Sequence, residues 1–129
     1  MSEASEQREF VTWFRTRYPQ YALSLRVSQS GAYRGSGTKG AIRTAQARLQ
    51  GAVKGEADIA ILVPRGTFGC LLVEHKKAGG RHQVTTEQQE YLDYHNRLGN
   101  CAVSTRGLGA LQAAVTAYLV DSEWTTATS

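Results

Sequence analysis

With 129 residues, 41% of them hydrophobic, the chain is long enough to bury one core and too short for two comfortable ones. No apolar run reaches the length of a membrane span, and the opening stretch MSEASEQREF lacks the apolar centre of a secretory signal, so a cytoplasmic protein is expected. A formal charge of +4 and an isoelectric point near 9.3 favour a polyanionic partner. Cys70 and Cys101 lie in apolar stretches and read as buried thiols, and no paired Cys or His ligands stand at the short spacing a zinc site needs.

Phe10, Trp13, Phe14 and Arg17 recur at helical spacing over residues 5–18, with Ser5 as the expected N-cap and Pro19 as the stop. Residues 21–28 (YALSLRVS) alternate apolar and polar and predict a strand. The Gly/Ser-rich run SQSGAYRGSGTKG reads as an ordered loop or a flexible arm facing nucleic acid. Residues 39–50 predict a helix with Ile42, Ala45 and Leu49 on one side, followed by a turn bracketed by Gly51 and Gly55.

ADIAILV and FGCLLVEHK then form two strands joined at Pro64-Arg65-Gly66-Thr67, a hairpin-length turn. Both runs are almost continuously apolar, which predicts central strands covered on both faces. Gly79-Gly80 breaks the chain, and a helix follows from about Thr86 to Leu98, stopped by Gly99-Asn100. CAVST is a short strand, residues 107–120 an apolar last helix, and residues 121–129 a frayed tail in which Trp124 is available for packing. The predicted order is α-β-α-β-β-α-β-α: one α/β domain over residues 1–120, a mixed sheet with helices on both sides.

The chemistry concentrates at the ends of the hairpin. Asp58 opens its first strand, and Glu74-His75-Lys76 closes its second. Residues at i and i+2 of a strand share a face, so Glu74 and Lys76 project together while His75 points away. Charge desolvated beside a buried run is costly, so the three residues either reach solvent as ordinary strand ends or converge on a ligand. Two acids that can share a hard divalent cation, with a lysine beside them, are a minimal set for phosphodiester hydrolysis. Arg26, Arg34, Lys39, Arg43, Arg48 and Lys54 precede Asp58, with no acid between Glu9 and Glu56, and Lys76, Lys77, Arg81 and His82 follow Glu74. These clusters are the expected footprint of a phosphate backbone.

The segment from Gly55 through Asp58, Glu74 and Lys76, Gly79-Gly80 and Thr85-Thr86-Glu87-Gln88 resembles the PD-(D/E)XK nuclease core, and more narrowly the virus-type replication-repair nuclease (VRR-NUC) domain, over about residues 5–120. Ala57 stands where that family has proline, a change of backbone shape that removes no ligand. The resemblance implies a restriction-endonuclease-like core and a Mg²⁺-dependent deoxyribonuclease, with Mn²⁺ able to substitute. Asp58 and Glu74 are then the metal ligands, joined by the His75 backbone carbonyl, with Lys76 acting on the attacking water. Gln88 stands beside the lysine, although Thr85-x-x-Gln88 is also a capping-box pattern. Glu6 is the candidate outer acid on the first helix, with Glu9 as fallback and helix-dipole stabilisation as the plainer role. His75, His82 and His95 form no ligand cluster. Arg34, Lys54, Lys77 and Arg81 are the expected phosphate contacts, and Tyr33 a base-stacking or packing residue. The resemblance further implies a homodimer acting on branched DNA such as four-way Holliday junctions, in DNA repair and of phage or prophage origin. A non-catalytic nucleic-acid-binding module and a nonspecific nickase or flap nuclease of the same fold are the alternatives.

Overall fold

A computed structural model of the chain describes residues 2–28 and 37–120. The elements follow in the predicted order: α1 (Glu3–Arg17), β1 (Leu25–Val27), α2 (Gly37–Leu49), β2 (Ile59–Ile61), β3 (Leu71–Lys76), α3 (Thr86–Arg97), β4 (Cys101–Arg106) and α4 (Leu108–Val120), with a short 3-10 helix, Pro19–Ser24, before β1. The expectations for Tyr33, Arg34 and Trp124 lie outside the described residues.

The four strands form one sheet in the order β1-β2-β3-β4, antiparallel except for the last pair. A parallel neighbour needs a crossover, and α3 supplies it. Because side chains alternate along each strand, the two faces have different coverings. Ile59, Ile61, Leu71 and Val73 pack against Phe10 and Phe14 of α1 and Leu111, Val115 and Tyr118 of α4. The opposite face is thinner. Leu72 and Ala102 meet Leu92, the buried residue of α3, with Ala60 and Tyr91 packed at the margin. Asn96 ties α3 to β4 by pairing with both backbone groups of Ala102, each at 2.9 Å.

Several elements depart from expectation: β2 covers only Ile59–Ile61 of the predicted 57–63 run and β3 begins at Leu71, so the link between them is longer than the predicted turn. The N-cap is Ser2, whose hydroxyl accepts from the Ser5 amide at 3.1 Å, and not Ser5 itself. The earlier start adds Glu3 to the first turn beside Glu6, where the helix dipole favours both. β1 covers only the end of the predicted 21–28 run, because a ladder is as long as its shorter partner: β1 and β2 pair over three residues, and Leu23 is fully exposed in the 3-10 turn. In α2 the apolar stripe does not face the core. Ile42 and Leu49 are 52% and 89% exposed, and Gly40 is the buried position of the helix. No helix among the described residues is long and apolar enough to cross a membrane.

Candidate active site

β3 delivers its last residues to one end of the sheet. Glu74 and Lys76 share the α3 face with Leu72, while His75 shares the other face with Val73. One register step beyond the Ile59–Val73 pair sets Asp58 opposite Glu74. Asp58 is fixed there by the His75 amide, which donates to its Oδ2 at 2.9 Å. A pocket of about 260 Å³ opens at this point, lined by Asp58, Glu74, Lys76 and Gln88, with Glu3 from α1 and Arg48 from α2 on its walls.

The carboxyl of Glu74 is the unusual group. Its residue is 2% exposed, and its Oε1 has no hydrogen-bond partner. The Lys76 ammonium approaches Oε2 at 3.6 Å. Burial, and then the neighbouring Asp58 carboxyl, push the Glu74 pKa up to about 9, against the pull of Lys76. An uncompensated buried carboxylate is costly, so this geometry favours a positive charge arriving from outside. Lys76 in turn donates to Gln88 Oε1 at 3.0 Å. That same oxygen accepts from the Thr85 amide at 2.9 Å, and the Gln88 amide donates to Thr85 Oγ1 at 3.1 Å. Gln88 therefore closes the capping box of α3 and holds Lys76 at once, so the two readings of the Thr85-x-x-Gln88 pattern coexist.

The donor set suits a hard divalent ion. Two carboxylates, one with a bare buried oxygen, match the way Mg²⁺ takes one or two protein oxygens and fills its shell with water and substrate phosphate. Among the described residues no group of three or more His, Cys, Asp and Glu side chains forms a metal cage. His75 stays out of the pocket: its ring is fully buried on the opposite face, with Nε2 2.7 Å from Glu6 Oε1.

That contact corrects the expectation for Glu6. One carboxylate oxygen is taken by His75 and the other accepts from the Ala78 amide at 3.0 Å, so Glu6 lies behind the sheet, and its fallback Glu9 is exposed and lines no part of the pocket. The α1 acid on the pocket wall is Glu3, which adds to the repulsion felt by Glu74. With the N-cap expected at Ser5, Glu3 fell outside the helix and gave no signal.

Among the expected phosphate contacts, Lys54 pairs with Glu87 at 3.1 Å on the surface, an interaction of small energy. Lys77 and Arg81 are exposed on the loop after β3. Arg48, read in the sequence as one of a basic run, and Arg106, which gave no signal there, take particular places. Arg48 shares an α2 face with Thr44 and Ala47, the i, i+3, i+4 set that forms the pocket wall, and it has no ion pair among the described residues. Arg106 donates to the backbone carbonyls of Lys77 at 3.1 Å, Gly80 at 2.8 Å and His82, bracing the basic loop. Its role follows from the Lys76–Arg106 register of β3 and β4, which no local pattern announces.

Gly55 brings the loop before Asp58 against the start of α3. Its φ is +83°, and a Cβ there would lie 2.5 Å from the Glu87 carbonyl oxygen. Gly55→Ala is expected to destabilise the protein by about 1–3 kcal/mol through backbone strain, read as a lowered thermal midpoint, and to move Asp58 relative to Gln88. A midpoint within a degree of wild type would show that the approach is not constrained.

Fold and pocket together define an α/β domain whose acidic pair and lysine lie at the end of the central hairpin. A solved structure described as a VRR_NUC domain protein superposes with a TM-score of 0.76 at 20% sequence identity, over 92% of this chain and 88% of that one. At that identity the likeness establishes the fold, and the chain has the VRR_NUC fold. No protein-family model matches the chain, and no curated protein matches it in sequence.

Proposed function

We propose that the protein is a Mg²⁺-dependent endonuclease hydrolysing DNA phosphodiesters, with Mn²⁺ able to substitute. The observation that carries this reading is the buried, unpartnered Glu74 oxygen beside Asp58, with Lys76 held at the same pocket by Gln88. Asp58, Glu74 and the His75 backbone carbonyl would hold the ion, which would supply a Lewis acid for water and phosphate. Lys76 orients the attacking water and offsets charge building on the phosphoryl oxygens. Gln88 fixes the lysine amine, and Arg48, Lys77 and Arg81 position the flanking backbone by charge. The water oxygen bonds to phosphorus, the bond to the leaving deoxyribose oxygen breaks, and the departing oxygen takes up a proton. Branched DNA such as four-way junctions is the substrate, cut by a homodimer that presents one site to each strand in the cytoplasm of a phage-bearing or prophage-bearing host.

The test is cleavage of synthetic junction, flap and linear duplexes in Mg²⁺ and in EDTA. Asp58→Asn and Lys76→Ala are each expected to reduce cutting by about 10²–10⁴-fold with DNA binding retained. Equal cutting by wild type and variants overturns the site. Binding without cutting by the wild type assigns the chain to a non-catalytic binding module, and equal cutting of all three substrates to a nonspecific nickase.

A further inference from the structure

A second recess opens on the thin face of the sheet, next to the acidic pocket. Its floor is apolar, with Ala60 and Leu72, and Leu92 is the residue that α3 buries on this face. One wall is aromatic. Tyr91 and His95, at i and i+4 of α3, pack with ring centroids 4.5 Å apart. His95 is pinned by Asn100, whose amide nitrogen is 3.0 Å from Nδ1. Burial lowers the His95 pKa, so at neutral pH its ring is uncharged and offers a π face.

The rim carries Arg26 and Glu56. Arg26 pairs with Ala60 through its backbone and leaves its guanidinium exposed at the rim, and Glu56 is oriented by the Ser28 hydroxyl, which donates to Oε1 at 2.9 Å. A guanidinium donor and a carboxylate acceptor over an aromatic wall match the edges of a nucleobase, which present both donors and acceptors. The volume, about 260 Å³, falls below the ~300–1,000 Å³ of clefts for drug-sized ligands and fits one ring system. Glu56 lines the acidic pocket as well. It precedes Asp58 by two residues, at most about 7 Å of chain, so a nucleotide whose phosphate lies at Asp58 has its own or its neighbour's base within reach of the recess.

We propose that this recess binds an unpaired nucleobase next to the scissile phosphate, and that this requirement is the source of structure selectivity. The inference rests on the nuclease reading of the acidic pocket and assigns it a substrate class: DNA with an unstacked nucleotide at the cut. In an intact duplex the base must first be unpaired and unstacked, which costs free energy. At a junction or flap it is already free, so branched DNA is preferred without base-specific reading.

The test measures equilibrium binding of the full chain to a synthetic flap in Ca²⁺, which holds the site without turnover, while one abasic site is scanned along the unpaired strand. For the wild type, one position is expected to raise Kd by about 10–100-fold, the range for one lost base–aromatic stack, with the others near neutral. Tyr91→Ala is expected to bind intact and abasic DNA alike. Arg26→Ala, at an exposed side chain, is expected to shrink the preference of that position among the four bases. A flat abasic scan overturns the proposal, as does a Tyr91→Ala variant that keeps the wild-type position dependence. Loss of self-association in Tyr91→Ala with the abasic scan unchanged also overturns it, and gives the recess to a second copy of the chain. Because binding is read without cleavage, a protein that does not cut in Mg²⁺ sinks the nuclease reading separately.

Discussion

Glu74→Gln is expected to silence cleavage and, at the same time, to stabilise the metal-free protein. A buried carboxylate whose pKa stands at about 9, against an ordinary value of 4.5, binds its proton more tightly in the folded state than in the unfolded one. Between those values the native state holds more protons, so the unfolding free energy falls as pH rises. The stability contributed by the protonated group is fully present below about pH 4.5 and lost as pH climbs through the folded value of about 9. Metal-free wild type is therefore expected to unfold at a lower temperature at pH 8.5 than at pH 6, and Glu74→Gln, which does not ionise, to lose that part of the slope. Mg²⁺ reverses the order. At about 100 times its Kd it adds about 2.7 kcal/mol to wild type, a rise in midpoint on the order of 10 °C for a domain of this size, and adds little to the variant. Cleavage is expected to fall by more than the ~10–100-fold typical of losing an outer-shell partner. Thermal melts of both proteins from pH 5.5 to 9, in EDTA and in Mg²⁺, read all of this. Parallel pH slopes and equal Mg²⁺ shifts would remove Glu74 from the metal site.

The same residue shows why the hairpin was legible and other parts of the site were not. Strand alternation is a local property, so the spacing of Glu74, His75 and Lys76 alone put two side chains on one face and the third on the other, as the structure does. Thr85-x-x-Gln88 is local as well, and the capping box it announces is formed. Glu3 and Arg48 belong to helices that reach the pocket through tertiary packing, and Arg106 acts through strand register. Nothing in the neighbourhoods of Glu3 and Arg106 distinguishes them from ordinary surface charge, and Arg48 stood out only as one member of a basic run. The stripe of Ile42, Ala45 and Leu49 misled for the opposite reason. Periodicity names a face and leaves open what covers it, and in α2 that face meets solvent. The predicted 21–28 strand failed because its length was decided by β2.

Glu6 gives the largest expected effect on stability, and it separates structure from catalysis. Its carboxylate joins α1 to the end of β3 by accepting from the buried His75 ring at 2.7 Å and from the Ala78 amide at 3.0 Å. Burial works to raise its pKa, but the Ala78 amide and then His75 outweigh it, and the net shift is downward. The contribution of this group is therefore present above the ordinary carboxylate range and lost as pH falls through the lowered folded value. Glu6→Ala leaves the imidazole and the amide without their acceptor inside the protein, and breaking such a buried pair costs about 3–5 kcal/mol, on the order of 10–20 °C in midpoint. Glu6→Gln keeps one acceptor oxygen and is expected to lose less and to flatten the acid limb of the stability curve. Because Glu6 lies behind the sheet, cleavage per folded molecule at low temperature is expected to stay within a few-fold of wild type in both variants. Abolished cleavage in Glu6→Gln with the melting midpoint unchanged would return Glu6 to the candidate outer-acid role at the metal site.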